Sequence, residues 1–315
     1  MSGKIGLVLS GGGAKGAYEI GVCKALSAMG ADKYIDTIAG TSVGALNAVL
    51  LESQGTEYSE KIWNNLTIDD LLNVDWKRIT KFPRLPDYSD PDYIGLRPDN
   101  IVDSIFLGGK SLYKSLKKEN AVTDFVKNGL PFNQERISQL IDENVYFDRL
   151  TRKIFVACCD IDGEVKYFHL NLYPPHIQKK IVLASSALPV VYTGACGINI
   201  NGTDYFDGGI AGNESNTPIS CLYNNGCRSI IAVHLKHDAN LINQYCDFQG
   251  RYHYNKNNYY TDNNDIINII PSKNLGGMLT GTLNLNNMKV QRDIELGYHD
   301  TYNHMDEIFS MIKNL

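Results

Sequence analysis

The strongest constraint on the fold is a rhythm repeated twice within the first 52 residues: short apolar strand, glycine turn, helix. Ile5-Gly6-Leu7-Val8-Leu9 is a continuous apolar run of the length of a buried parallel strand. The turn Ser10 to Gly16 follows. Ala17 to Met29 then carries a helical apolar period through Ala17, Ile20, Gly21, Lys24-Ala25 and Ala28. A second strand, Thr37-Ile38-Ala39, leads into Gly40-Thr41-Ser42-Val43-Gly44 and a helix from Ala45 to Glu52. Strands alternating with helices in this way specify a doubly wound, mainly parallel sheet.

Further along, Ile154 to Cys158 and Val165 to His169 read as a strand pair turned at Asp162-Gly163. His176 to Ala187 reads as helix, Thr203 to Gly209 as strand and turn, Ser229 to Val233 and Ile266 to Ile270 as strands. Leu285 to Leu315 reads as a long helical region. Residues 56–150 break the rhythm, with amphipathic helices expected near Tyr58–Leu72, Asn100–Phe106 and Asn133–Glu143. They are expected to form a helical insertion or cap over the active site within a single domain spanning 1–315. The aromatics Trp63, Trp76, Phe82, Tyr88 and Tyr93 of this stretch are candidates for lipid contact or for core. Residues 238–264, rich in Asn, Tyr and Asp, are expected to be an exposed, mobile loop.

Composition narrows the class of function. A net charge of −5 offers no basic field for nucleic acid, so none is expected as a partner. The seven cysteines (23, 158, 159, 196, 221, 227 and 246) contain no C-x-x-C and are odd in number. Buried, reduced thiols are expected in place of a disulfide framework or a zinc site. Met1-Ser2-Gly3-Lys4 runs into the first strand without a signal-like apolar core, and no stretch reaches the roughly 20 apolar residues of a membrane span. A cytoplasmic protein is expected, with peripheral contact to a membrane left open.

Gly11-Gly12-Gly13-Ala14-Lys15-Gly16 fits G-x-G-x-x-G between a strand and a helix. A dinucleotide site would need an acidic residue at the end of the second strand, yet Asp32 and Asp36 both precede Thr37-Ile38-Ala39. A phosphate loop would need Lys-Ser/Thr after the last glycine, where Ala17-Tyr18 stand. Two readings remain: a packing turn, or an oxyanion hole of bare backbone amides. The second motif chooses between them. Gly40-Thr41-Ser42-Val43-Gly44 is G-x-S-x-G between a strand and a helix, the setting of a nucleophile elbow. The helix starting after Ser42 adds its positive end beside the nucleophile. No histidine among 169, 176, 234, 237, 253, 299 and 304 sits in a base-like motif. Asp207-Gly208-Gly209, after Phe206, offers a carboxylate at a strand end, although taken alone it is an ordinary turn.

The glycine loop, G-x-S-x-G and D-G-G, in that order, resemble the patatin-like phospholipases. Ala184-Ser185-Ser186-Ala187-Leu188-Pro189 looks like the family's A-S-x-A-x-P block, and Gly297-Tyr298-His299-Asp300-Thr301 looks like a segment common in bacterial members. The resemblance implies a three-layer α/β/α fold and a Ser–Asp dyad without a catalytic histidine. Ser42 would be the nucleophile and Asp207 the base. The amides of Gly12, Gly13 and Ala14 would form the oxyanion hole. Gly11, Lys15, Gly16, Gly40, Gly44, Gly208 and Gly209 would support the motifs. No metal or cofactor is implied. The implied substrate is a phospholipid or another acyl-ester lipid. Ser10 stands where plant patatins carry Asp, which points to the bacterial branch. A thioesterase or acyltransferase on the same dyad, and a non-catalytic lipid- or nucleotide-binding module, stay open at this point.

Overall fold

A computed structural model describes residues 5–67, 70, 134–160, 162–187, 197–237, 265–282 and 284–315. Its centre is a sheet whose parallel part is built from β1 (Ile5–Leu9), β2 (Ile35–Thr41), β3 (Lys153–Asp160), β7 (Ser229–Val233) and β8 (Asp265–Ile269). All five β1 residues are buried, because β2 and β7 pair with its two edges and helices cover both faces. The apolar run of β1, and that of β7 from Ile230 to Val233, is what burial on both faces demands. β4 (Val165–His169), β5 (Ile198–Ile200) and β6 (Thr203–Asp207) complete the sheet and run antiparallel to the strands they pair with. The architecture is three-layer α/β/α with a mainly parallel sheet, as expected from the alternating pattern.

β2 begins two residues earlier than its apolar run suggests, so Asp36 lies inside the strand. It sits near the end remote from the turns. α1 (Ala17–Ala28) and α2 (Val43–Gln54) follow the first two strands. α3 (Thr56–Asn65) and α4 (Glu135–Asn144) correspond to the first and last helices expected in the irregular stretch. The expected helix near Asn100–Phe106, most of the insertion and the loop 238–264 lie outside the described residues. α5 (Pro175–Ser185) starts with Pro at its first turn, where a missing N–H costs nothing.

Three elements depart from the sequence reading. The helix α7 (Ile219–Asn224), preceded by the one-turn α6 (Asn213–Asn216), and the strand β5 lie where the sequence pattern marks no element. The C-terminal region is two helices, α8 (Asn287–Asn303) and α9 (Met305–Lys313), which meet at His304. α9 needs the break to turn Ile308 and Met311 inward, where both are buried. α8 lies against α1 at backbone distance: a Cβ on Gly21 would overlap the Ile294 carbonyl, and one on Gly297 the Tyr18 carbonyl. The five described cysteines, 23, 158, 159, 221 and 227, are buried and unbridged.

Candidate active site

The parallel strands β1 and β2 run side by side and end in neighbouring turns, so the glycine loop and the G-x-S-x-G turn emerge together. β2 ends at Thr41, and Ser42 turns the chain into α2 with φ 54° and ψ −123°. Such a conformation in a residue with a side chain costs about 1–3 kcal/mol and persists only where its surroundings impose it. Two features impose it here. The Ser42 amide donates to Ser185 Oγ at 2.9 Å, and that hydroxyl donates to the Ala157 carbonyl at 2.7 Å. Gly44 passes so close to β1 that a Cβ would collide with the Leu9 carbonyl.

Strand registers bring Asp207 to the same place. β3 carries β4 along one edge, from Phe155 to Cys159. Its other edge is shared. β2 pairs with Lys153 to Ala157, ending at Thr41↔Ala157, and β6 pairs with Cys158 to Asp160, ending at Cys158↔Asp207. Two strands of opposite direction therefore meet end to end on one edge of β3. Ser42 is the next residue of one, and Asp207 is the last residue of the other.

Asp207 is fully buried. Its amide donates to the Ala187 carbonyl at 3.1 Å, and its Oδ1 accepts from the Gly209 amide at 2.8 Å. Oδ2 is sealed from solvent and has no well-aligned hydrogen-bond partner among the described residues. Burial pushes the carboxyl up from 3.8 to about 7; the nearby Ser42 hydroxyl and the Gly209 amide oppose that push. The side chain is thus poised between its two protonation states near neutral pH.

The glycine loop leaves β1 with Gly12 at φ 172° and Gly13 at φ 59°, then winds through one 3₁₀ turn, Gly13–Gly16, into α1. Its first residues are tied to the segment after β6. Ser10 Oγ donates to the Val233 carbonyl at 2.6 Å and lies 2.8 Å from Thr217 Oγ1. The Gly11 amide donates to the Asn216 carbonyl at 3.0 Å, and Asn216 Nδ2 donates to the Gly11 carbonyl at 3.2 Å. Beneath the loop, Asn47 Nδ2 bonds both the Gly16 carbonyl (3.0 Å) and Glu19 Oε2 (2.8 Å), and Trp63 Nε1 donates to Asn47 Oδ1. Burial lifts the Glu19 carboxyl well above the usual carboxylate range, against the hydrogen bond from Asn47. Trp63, a candidate lipid contact on sequence grounds, is a core residue; Trp76, Phe82, Tyr88 and Tyr93 lie outside the described residues.

The structure therefore gathers Ser42, Asp207 and the glycine loop around one point. It adds Asn47, Ser185 and Asn216, whose contacts sequence motifs do not reveal. Five of the six described histidines have other neighbours: His234 is buried and bonds Asn268, His237 the Pro271 carbonyl, and His304 Glu307, while His169 stacks on Phe155 and His299 meets the Tyr298 ring. No cluster of His, Cys, Asp or Glu suited to a metal occurs among the described residues. Within them, no helix is long and apolar enough to cross a membrane.

Comparison with known proteins gives the lineage. A segment of Lysophospholipase nte1 from Aspergillus terreus is 54% identical over 46 residues, which is 15% of this chain and 3% of that protein. The chain thus corresponds to a small part of that relative's length. Among solved structures, VipD from Legionella pneumophila aligns with 98% of this chain and 67% of its own, at 16% identity and a TM-score of 0.46. The type III effector ExoU aligns over 98% and 53%, at 14% identity and a TM-score of 0.44. The family's sequence pattern matches residues 7–220, a span containing the glycine loop, the Ser42 turn and Asp207-Gly208-Gly209. This chain belongs to the patatin-like phospholipase family.

Proposed function

We propose that the protein is a lipid acyl hydrolase that cleaves acyl esters of phospholipids or related lipids through a Ser42–Asp207 dyad and an acyl-enzyme. The observation that carries this reading is the end-to-end meeting of β2 and β6 on one edge of β3. It sets a strained serine beside a buried carboxylate of raised pKa.

In the first step Ser42 Oγ attacks the ester carbonyl and its proton passes to Asp207. The carbonyl electron pair moves onto oxygen, facing the amides of Gly12, Gly13 and Ala14 in the glycine turn that precedes α1. Collapse of the tetrahedral intermediate expels the alcohol portion, which takes the proton back from Asp207. Water then attacks the acyl-serine, gives its proton to Asp207, and the fatty acid leaves as Ser42 is reprotonated. A carboxylate of ordinary acidity would be a feeble base for a hydroxyl. Burial raises its basicity without the help of a histidine. Access to lipid is assigned to peripheral contact with a surface.

Hydrolysis of a short p-nitrophenyl ester by wild type, Ser42→Ala and Asp207→Asn tests the reading. Turnover is expected in the wild type alone, together with covalent labelling of Ser42 by a fluorophosphonate. Turnover retained by Ser42→Ala would remove the nucleophile, and turnover retained by Asp207→Asn would remove the base.

A further inference from the structure

Resting on the dyad just proposed, the geometry points to a third element that sets its spacing: we infer that Ser185, at the C-terminal end of α5, is a positioning residue for Ser42. Two residues on, the same chain segment holds Asp207. The Ser42 amide ends on Ser185 Oγ (2.9 Å), and the Asp207 amide ends on the Ala187 carbonyl (3.1 Å). Two residues separated by one in the chain, Ser185 and Ala187, thus hold the backbones of both members of the dyad.

The grip has a fixed origin. Ser185 Oγ donates to the carbonyl of Ala157, the last β3 residue paired with β2 and the neighbour of Cys158, which pairs with Asp207. The hydroxyl therefore measures the elbow against the strand on which the base is also registered. It is fully buried, its one proton is given to Ala157 and one of its two lone pairs takes the Ser42 amide, with no bulk water to compete. A backbone carbonyl could accept the Ser42 amide but could not also donate to Ala157. An alanine would take the acceptor from the buried amide of the strained residue and a donor from the Ala157 carbonyl. The motif read in sequence as Ala184-Ser185-Ser186-Ala187 is, on this account, a ruler between nucleophile and base.

Ser186 supplies an internal control. Its hydroxyl sits at the same helix end, but it bonds the Val182 and Leu183 carbonyls and receives Gln134 Nε2, with no contact to the elbow. Ser185→Ala, Ser185→Cys and Ser186→Ala are compared for p-nitrophenyl ester turnover, with thermal midpoints recorded alongside. Displacement of a reacting atom by about 1 Å costs on the order of 100-fold, so Ser185→Ala is expected to lower kcat by about 10- to 100-fold. KM should stay within about twofold, and fluorophosphonate labelling should slow in proportion to kcat. Ser185→Cys, with a weaker donor and acceptor, should fall between Ala and wild type, and Ser186→Ala should keep kcat within about twofold. The inference is overturned if Ser185→Ala matches wild type in kcat, or if Ser185→Ala and Ser186→Ala lose activity equally. Should Ser185→Ala not fold, equal kcat in Ser185→Cys and Ser186→Ala overturns it. Activity surviving in Ser42→Ala would instead strike the dyad itself, a result that the Ser185 series cannot produce.

Discussion

The proposed nucleophile and the proposed base are set in the site by different means. On the nucleophile side, β1, β2, α1 and α2 follow one another within 50 residues, run parallel, and meet through backbone and glycine contacts. On the base side, Asp207 arrives on a strand of opposite direction, 165 residues later, and is held by register with β3 and by the amide bond to Ala187. The first geometry is local. The second exists only when distant strands choose the correct partners.

The largest expected effect separates the two sides by charge. Asp207→Asn should lower kcat by on the order of 1000-fold. Because the folded carboxyl is raised from 3.8 to about 7, its ionisation costs nothing below about pH 4 and its full amount above about pH 7. Holding the carboxylate ionised in that surrounding then costs the fold up to about 4 kcal/mol. Denaturant unfolding should find the inactive variant more stable than wild type at pH 8, with the gap closing at pH 4. A less stable Asn variant at pH 8 would mean that the carboxylate is not held at a cost.

Gly44→Ala tests the nucleophile side by pressing a methyl group against the Leu9 carbonyl. A loss of about 2–3 kcal/mol in unfolding free energy is expected, with activity falling as the elbow shifts. Unchanged stability would show that the β1–α2 contact has slack. In the wild type, kcat/KM for a short ester should rise about tenfold from pH 6 to pH 8 as Asp207 loses its proton, with a midpoint near 7. A flat profile would argue that another group takes the serine proton. The smallest effect belongs to His234, whose ring is lowered in pKa by burial and bonded to Asn268. His234→Ala should keep kcat within about threefold, and a loss of 100-fold or more would restore a histidine triad.

The contrast also governs what can be seen in the sequence. Gly11 to Gly16 and Gly40 to Gly44 announce themselves because strand, turn and helix are contiguous, although most of what crowds those glycines, such as Asn216, Leu235 and Thr282, is distant in sequence. Asp207-Gly208-Gly209 is legible as a turn, and only its order behind the other motifs raises it above that. What sets it beside the nucleophile, its pairing opposite Cys158 on the edge shared with β2, is a register and has no local signature. Ser185 stands in a recognisable motif, yet its bond to the Ser42 amide spans 143 positions and cannot be read from either neighbourhood. β5 escapes notice although Asn201-Gly202, with φ 53° and 92°, carries the dipeptide signal of a tight hairpin between Ile198–Ile200 and Thr203–Asp207. The signal is there, but the strand before it is too short to draw attention.

The backbone contact between α1 and α8 has a consequence in time. The helix that follows the glycine loop is seated by residues 287–303, and β1 takes one of its two partners from residues 229–233. During synthesis the loop and elbow emerge first, with neither support yet made. Contacts of such sequence separation close late and slowly. The site is thus completed only once α8 is free to pack against α1. A chain that carries both glycine motifs and Asp207 but lacks α8 is expected to escape fluorophosphonate labelling, and C-terminal truncations ending before and after α8 would show at which length Ser42 first reacts.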